Sequence, residues 1–181
     1  MADLAELHEE LGCLLGFTLA TGQLARRATA LTAQETEGDL VQVLQRLDEA
    51  GEQVQRQCQL LIARHAGLRA GRVTATSRKV RAGIVSRCSD GATLREVLEL
   101  LTITLDHARA TTVNLAARNS PDDEAVADFT EFVLSIWKNA PLPSPEAVPS
   151  PVGHCLRDPE SAENLVVAAA PAPGTVCEQP D

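Results

Sequence analysis

The stretch Thr93–Arg118, TLREVLELLTITLDHARATTVNLAAR, decides the fold. Leu94, Val97, Leu98, Leu101, Leu105, Ala108, Thr112 and Leu115 recur at intervals of three and four, which gathers them on one side of an α-helix and on neither side of a strand. Thr93 and Glu96 stand at the spacing of a capping box, in which each side chain satisfies the other residue's backbone N–H. A helix from 93 to 118 with one apolar stripe must bury that stripe against other helices.

Working outward, the same pattern repeats. Leu4, Leu7, Leu11, Leu14, Leu15 and Leu19 predict a first helix over about 4–31, opened by Asp3 and Glu6 at capping-box spacing. Within it Gly12, Gly16 and Ala20 recur every fourth position, a stripe of small residues that lets another helix approach closely. Thr36 and Asp39 announce a second helix over 38–67, with Leu40, Val43, Leu44, Leu47, Val54, Cys58 and Leu61 inward and Gly67 and Gly71 at its end. A weaker helix over 73–88 has Val80, Ile84 and Val85 as its main apolar residues. Ser120-Pro121-Asp122-Asp123 reads as an N-cap serine, a first-turn proline and acids at the positive helix end. The helix after it runs to 138, with Val126, Phe129, Phe132, Val133, Ile136 and Trp137 inward.

These segments predict an all-α, mainly antiparallel bundle of four to five helices over residues 1–138. Residues 139–181 hold nine of the ten prolines and little apolar mass, so a disordered Pro/Ala-rich tail is expected there. Composition agrees: the chain has no Tyr, one Trp and three Phe, and its apolar mass is Leu, Ala and Val. A shift of 54 residues aligns Leu40 with Leu94, Val43 with Val97, Leu44 with Leu98, Leu47 with Leu101, Leu61 with Leu115 and Arg64 with Arg118. Either a helical hairpin is duplicated or two Leu-rich helices share a heptad pattern.

Charge is divided unevenly. No acid occurs between Glu52 and Asp90, while Arg56, Arg64, Arg69, Arg72, Arg78, Lys79, Arg81 and Arg87 fall in that interval. The chain as a whole stands at −9, so the remainder carries 25 acids against 8 bases. Arg69, Arg72, Arg78, Lys79, Arg81 and Arg87, on the connector between the second helix and Thr93, form the candidate interaction surface. A solvated connector, docking of an acidic protein or a second copy of the chain, and contact with phosphate groups or nucleic acid are the three readings of it. The net charge works against nucleic acid, and the absence of aromatics in the segment removes base stacking.

Chemistry is sparsely marked. His8 lies among Glu6, Glu9 and Glu10 and reads as part of a solvated helix start. His65 reads as a cation at a helix end, and His107 points away from its neighbour Asp106. Glu96 with Glu99, and Glu6 with Glu9, are the paired carboxylates on one helix face. No phosphate-binding glycine loop, nucleophile elbow or Cys/His quartet occurs, so no catalytic residue, metal ligand or cofactor is assigned. Five unclustered cysteines and the lack of an apolar span predict a reducing, cytoplasmic setting and no membrane contact.

Long helix, long helix, short basic connector, long helix and final helix over 4–138 together resemble the ferritin-like four-helix bundle family in architecture. That resemblance implies the fold and raises an iron-handling or metal-dependent bundle protein as an alternative function. The family's Glu-x-x-His motif occurs nowhere in this chain. The function expected from the residues is a non-enzymatic binding or assembly protein.

Overall fold

A computed structural model describes residues 4–32, 38–118, 123–141 and 143. Five helices account for nearly all of them: α1 (Leu4–Thr32), α2 (Gly38–Arg64), α3 (Ala70–Val85), α4 (Leu94–Arg118) and α5 (Glu124–Asn139). Of the tail expected over 139–181, only 139–141 and 143 are described, Asn139 being the last residue of α5; the rest, and the capping residues Asp3, Thr36, Ser120 and Asp122, lie outside the described residues.

Four helices close a ring in the order α1, α2, α5, α4. Each neighbour in it is antiparallel. Arg26 of α1 reaches Asp48 of α2 at 2.9 Å, while Thr18, earlier in α1, lies beside Gly51, later in α2. Phe17 stacks on His107 of α4, and Glu10 pairs with Arg118 at 2.8 Å. His65, just past α2, meets Asp123 at the start of α5 at 2.9 Å. Leu11, Leu14, Leu44, Leu47, Leu98, Leu101, Leu105, Val133 and Trp137 fill the interior, all within 1 % of full burial. The buried threonines Thr18, Thr32 and Thr112 return their hydroxyls to the carbonyl four residues back, so no donor is stranded there.

In this ring α2 and α4 run in the same direction, so the chain must travel the length of the bundle between them. α3 makes that journey, packed on the outside of α1 and parallel to it: Gly12 faces Val73 and Thr76, and Gly16 faces Ser77 and Val80. The connector is therefore a docked sixteen-residue helix, and the stripe of small residues is its seat. A Cβ on Gly12 would lie 2.6 Å from the Thr76 Cβ and 3.0 Å from the Val73 carbonyl oxygen. On Gly16 it would lie 2.7 Å from the Val80 Cβ.

The boundaries differ from the sequence reading in instructive ways. α2 stops at Arg64 because the chain turns at His65, where the Gly67 N–H donates to His65 Nδ1 at 3.2 Å and the Leu68 N–H to the His65 carbonyl at 3.0 Å; a Cβ on Gly67 would come within 2.7 Å of a Leu4 methyl. Gly71 breaks nothing and sits in the first turn of α3 in open space. The cap of α5 is Asp123, whose carboxylate accepts from the Val126 N–H at 3.3 Å. Phe132, expected inside, is 43 % exposed because Phe129 and Val133 already take the inward positions. The capping box at α4 forms as read: Thr93 N–H donates to Glu96 at 2.7 Å and Glu96 N–H to the Thr93 hydroxyl at 3.3 Å. At the other end of the last hairpin, the Arg109 guanidinium donates to the free carbonyls of Trp137 (2.9 Å) and Ala140 (3.2 Å).

Moved along by 54 residues, α3 (Ala70–Val85) falls on α5 (Glu124–Asn139) and its N-cap Arg69 falls on the N-cap Asp123. Residues 38–85 and 94–139 thus repeat the order long helix, short connection, sixteen-residue helix, but α3 packs on α1 whereas α5 packs on α2 and α4. They diverge in how the second helix turns its faces. The core positions Val126, Phe129, Val133 and Trp137 of α5 correspond to Arg72, Ala75, Lys79 and Gly83 of α3, all exposed.

Candidate functional site

α3 has little reason to be a helix on its own. It contains Gly71 and Gly83, several β-branched residues, no acid in its first turn and no base in its last. Arg69 at the N-cap and Arg72 in the first turn place positive charge at the positive end of the helix, an unfavourable arrangement of about 0.3–1 kcal/mol for each charge. Docking supplies the missing stability. Val73 and Ser77 are buried against α1, and Val80 and Ile84 are half-buried.

His8 secures the start of α3. It is 6 % exposed; its Nδ1 meets the Leu4 carbonyl oxygen and its Nε2 accepts the Arg69 backbone N–H at 2.8 Å. That pair of contacts assigns the ring proton to Nδ1. The solvated acidic helix start expected for His8 is thereby corrected. His8 lies one step of four before Gly12, on the face of α1 that α3 covers, and continuing the stripe backward by that step would have found it.

With this seat in place, the outer face of α3 is fixed. At roughly 100° per residue, Gly71, Ala75 and Ala82 run along its middle, Arg78 and Arg81 stand to one side, and Arg72 and Lys79 to the other. Arg69 and Arg87 mark its two ends. All six bases are exposed, and none forms an ion pair among the described residues. Elsewhere charges do find partners: Arg26 with Asp48, Arg95 with Glu99 at 3.1 Å, and Arg118 with Glu10. Arg56 and Arg64, the remaining members of the acid-free interval, belong to α2 and face solvent.

The other candidates are absorbed by structure. Glu96 is held by Thr93, whose backbone N–H and hydroxyl lower its pKa, and Glu99 is paired with Arg95. Among the described residues no group of three or more His, Cys, Asp or Glu side chains converges on a metal-sized space. Burial pushes the Cys58 thiol up to about 12, so it is not a nucleophile near neutrality. Burial raises the Cys13 thiol as well, with Glu9 and Glu10 adding to it. His107 is spent on stacking against Phe17 at a centroid distance of 5.3 Å.

One surface escaped the sequence reading. Glu124, Asp128 and Glu131 of α5 are exposed and unpaired among the described residues, on the side of that helix opposite Val126, Val133 and Trp137. Beside them the exposed Leu60 and Phe132 line a groove between α2 and α5, with Leu61 and Phe129 beneath and Arg64 on its rim. The signal was present as acids at i, i+4 and i+7.

Comparison with known proteins finds no matching family model, no matching curated protein and no matching solved structure. No described helix is long and apolar enough to cross a membrane.

Proposed function

We propose that this chain is a non-enzymatic docking protein that presents the outer face of α3 to an acidic protein surface. The supporting observation is the state of the six bases. Four of them are carried on α3 and Arg69 and Arg87 flank it; the helix is anchored through glycine contacts and a buried histidine, yet all six are left exposed and without counter-charges among the described residues. A solvated connector would have no use for so close a seat, and a neutralised one would show ion pairs. A bound carboxylate would also offset the adverse charge at the helix N-terminus. Among the described residues the cysteines Cys13, Cys58 and Cys88 are free thiols, which supports a reducing, cytoplasmic setting.

The test is retention on immobilised polyglutamate. The native chain is expected to be held at about 20 mM salt and released by about 0.3 M, where screening shortens to under 10 Å. The variant Arg78→Glu/Lys79→Glu should pass unretained. Equal behaviour of the two proteins would overturn the reading.

A second reading rests on topology. Two antiparallel hairpins joined by one long crossover are the arrangement of ferritin-like bundles, and α3 is such a crossover. This supports kinship in architecture. The side chains do not fit a di-iron centre, since the carboxylates of Glu96, Glu99 and Glu10 already serve a cap and two ion pairs.

A further inference from the structure

The basic and acidic faces stand on opposite sides of the bundle. On α1, Gly12 and Gly16 point roughly 180° away from Leu7, Leu14 and Ala25, which face the interior. α3 therefore lies outside α1, and α5 lies across the ring from α1. The outer face of α3 looks one way, and Glu124, Asp128 and Glu131 look the other.

We infer that the acidic partner of α3 is the α5 face of a second copy of this chain, so that copies associate head to tail. The inference rests on the docking reading above and adds the identity of the partner surface. Charge complementarity is its first support. Neither face forms an ion pair within its own chain among the described residues, whereas Arg26 pairs with Asp48 and Arg118 with Glu10 between helices elsewhere on the bundle. Spacing is the second. Glu124 and Glu131 are seven residues apart, as are Arg72 and Lys79, so each pair spans about 10 Å along its helix. Shape is the third: the middle of the α3 face is Gly71, Ala75 and Ala82, small enough for α3 to seat in the groove between α2 and α5 that Leu60 and Phe132 line beside the acids.

Because the two faces look in opposite directions, a pair of copies cannot satisfy both at once. The contact is heterologous, and its products are open chains or sizeable rings rather than a closed dimer.

Sedimentation velocity of the full chain tests this. At about 20 mM salt the sedimentation coefficient should rise with protein concentration, and at about 0.5 M salt it should fall to that of a monomer. Arg78→Glu/Lys79→Glu and Asp128→Lys/Glu131→Lys should each be monomeric alone, with unchanged far-ultraviolet circular dichroism. Mixed in equal amounts they should assemble again, because every reversed face then meets its opposite. A native chain that stays monomeric at low salt, or a mixture that fails to assemble, overturns the inference. Polyglutamate retention separates that failure from failure of the docking reading. A monomer that is still retained through Arg78 and Lys79 keeps the docking reading and points to another acidic protein, whereas a monomer that is not retained loses both. Duplex DNA bound through the same two residues, without polyglutamate retention, would replace an acidic protein by phosphate as the ligand.

Discussion

Replacing Gly16 by alanine puts two effects of similar size in opposition. In an exposed helix the change would gain about 1 kcal/mol, because glycine is the poorer helix former. Here the new Cβ would stand 2.7 Å from the Val80 Cβ, where ordinary contact needs 3.4–4 Å. The obstructing atom is fixed to the α3 backbone and cannot rotate aside, so α3 has to retreat by about 1 Å from α1. Overpacking of that kind costs roughly 1–3 kcal/mol. The expected net is a loss of about 1 kcal/mol, and Gly12→Ala should behave likewise against Thr76. Gly83→Ala is the control, because nothing lies within 4 Å of that position. It should stabilise by about 0.4–1 kcal/mol through propensity and a less flexible unfolded chain. Urea unfolding can be followed by Trp137, the single tryptophan, which is buried on α5. With a slope near 2 kcal/mol per molar, Gly16→Ala should lower the midpoint by about 0.5 M and Gly83→Ala should raise it. Amide exchange over 70–85 should also quicken in Gly16→Ala alone. If both variants move the midpoint the same way by similar amounts, the close seat of α3 on α1 is wrong.

Thr93→Ala should cost about 1 kcal/mol by removing the cap of α4, and it should raise the Glu96 carboxyl only part of the way to its ordinary value in an NMR titration, because the residue-93 backbone N–H still donates to it. In the native chain that carboxyl titrates below 4.5, so its contribution is complete above about that pH and is lost as pH falls through the lowered folded value. Arg109→Ala should leave the Trp137 and Ala140 carbonyls without their donor, costing about 1.5–3 kcal/mol in thermal or urea unfolding. Arg109→Lys should recover only part, since an ammonium cannot span both carbonyls as the planar fork does.

The helices of the ring were legible because their determinants are local. The Leu spacing of α4 and the reciprocal Thr93–Glu96 cap need no knowledge of the rest of the fold, and both stand as read. Where expectation and structure differ, three-dimensional packing decides: the turn at His65 ends α2 early, and the inward Phe129 and Val133 leave Phe132 outside. The glycine stripe could be read as a close-approach surface, but not as the seat of α3, because nothing in residues 70–85 names Gly12 and Gly16. The bases were legible as a cluster. Their exposure, and the acidic face across the bundle, depend on which way each helix is turned, and that is settled by packing. The 54-residue offset shows the limit of pattern alone, for α3 and α5, which match in length and position, present different sides to their neighbours.

α1 is enclosed on three sides by α2, α3 and α4, and all three are made after it. During synthesis its Leu-rich side can be covered as soon as α2 emerges, but the side that α4 covers must wait until Arg118. At about 5–20 residues per second that delay is roughly 4–17 s. The glycine, alanine and histidine side, which α3 closes in the interval, offers little apolar surface for other chains to adhere to. Chain order thus exposes Phe17 and Leu24 longest, and the nascent chain is most open to misassembly just before α4 is complete.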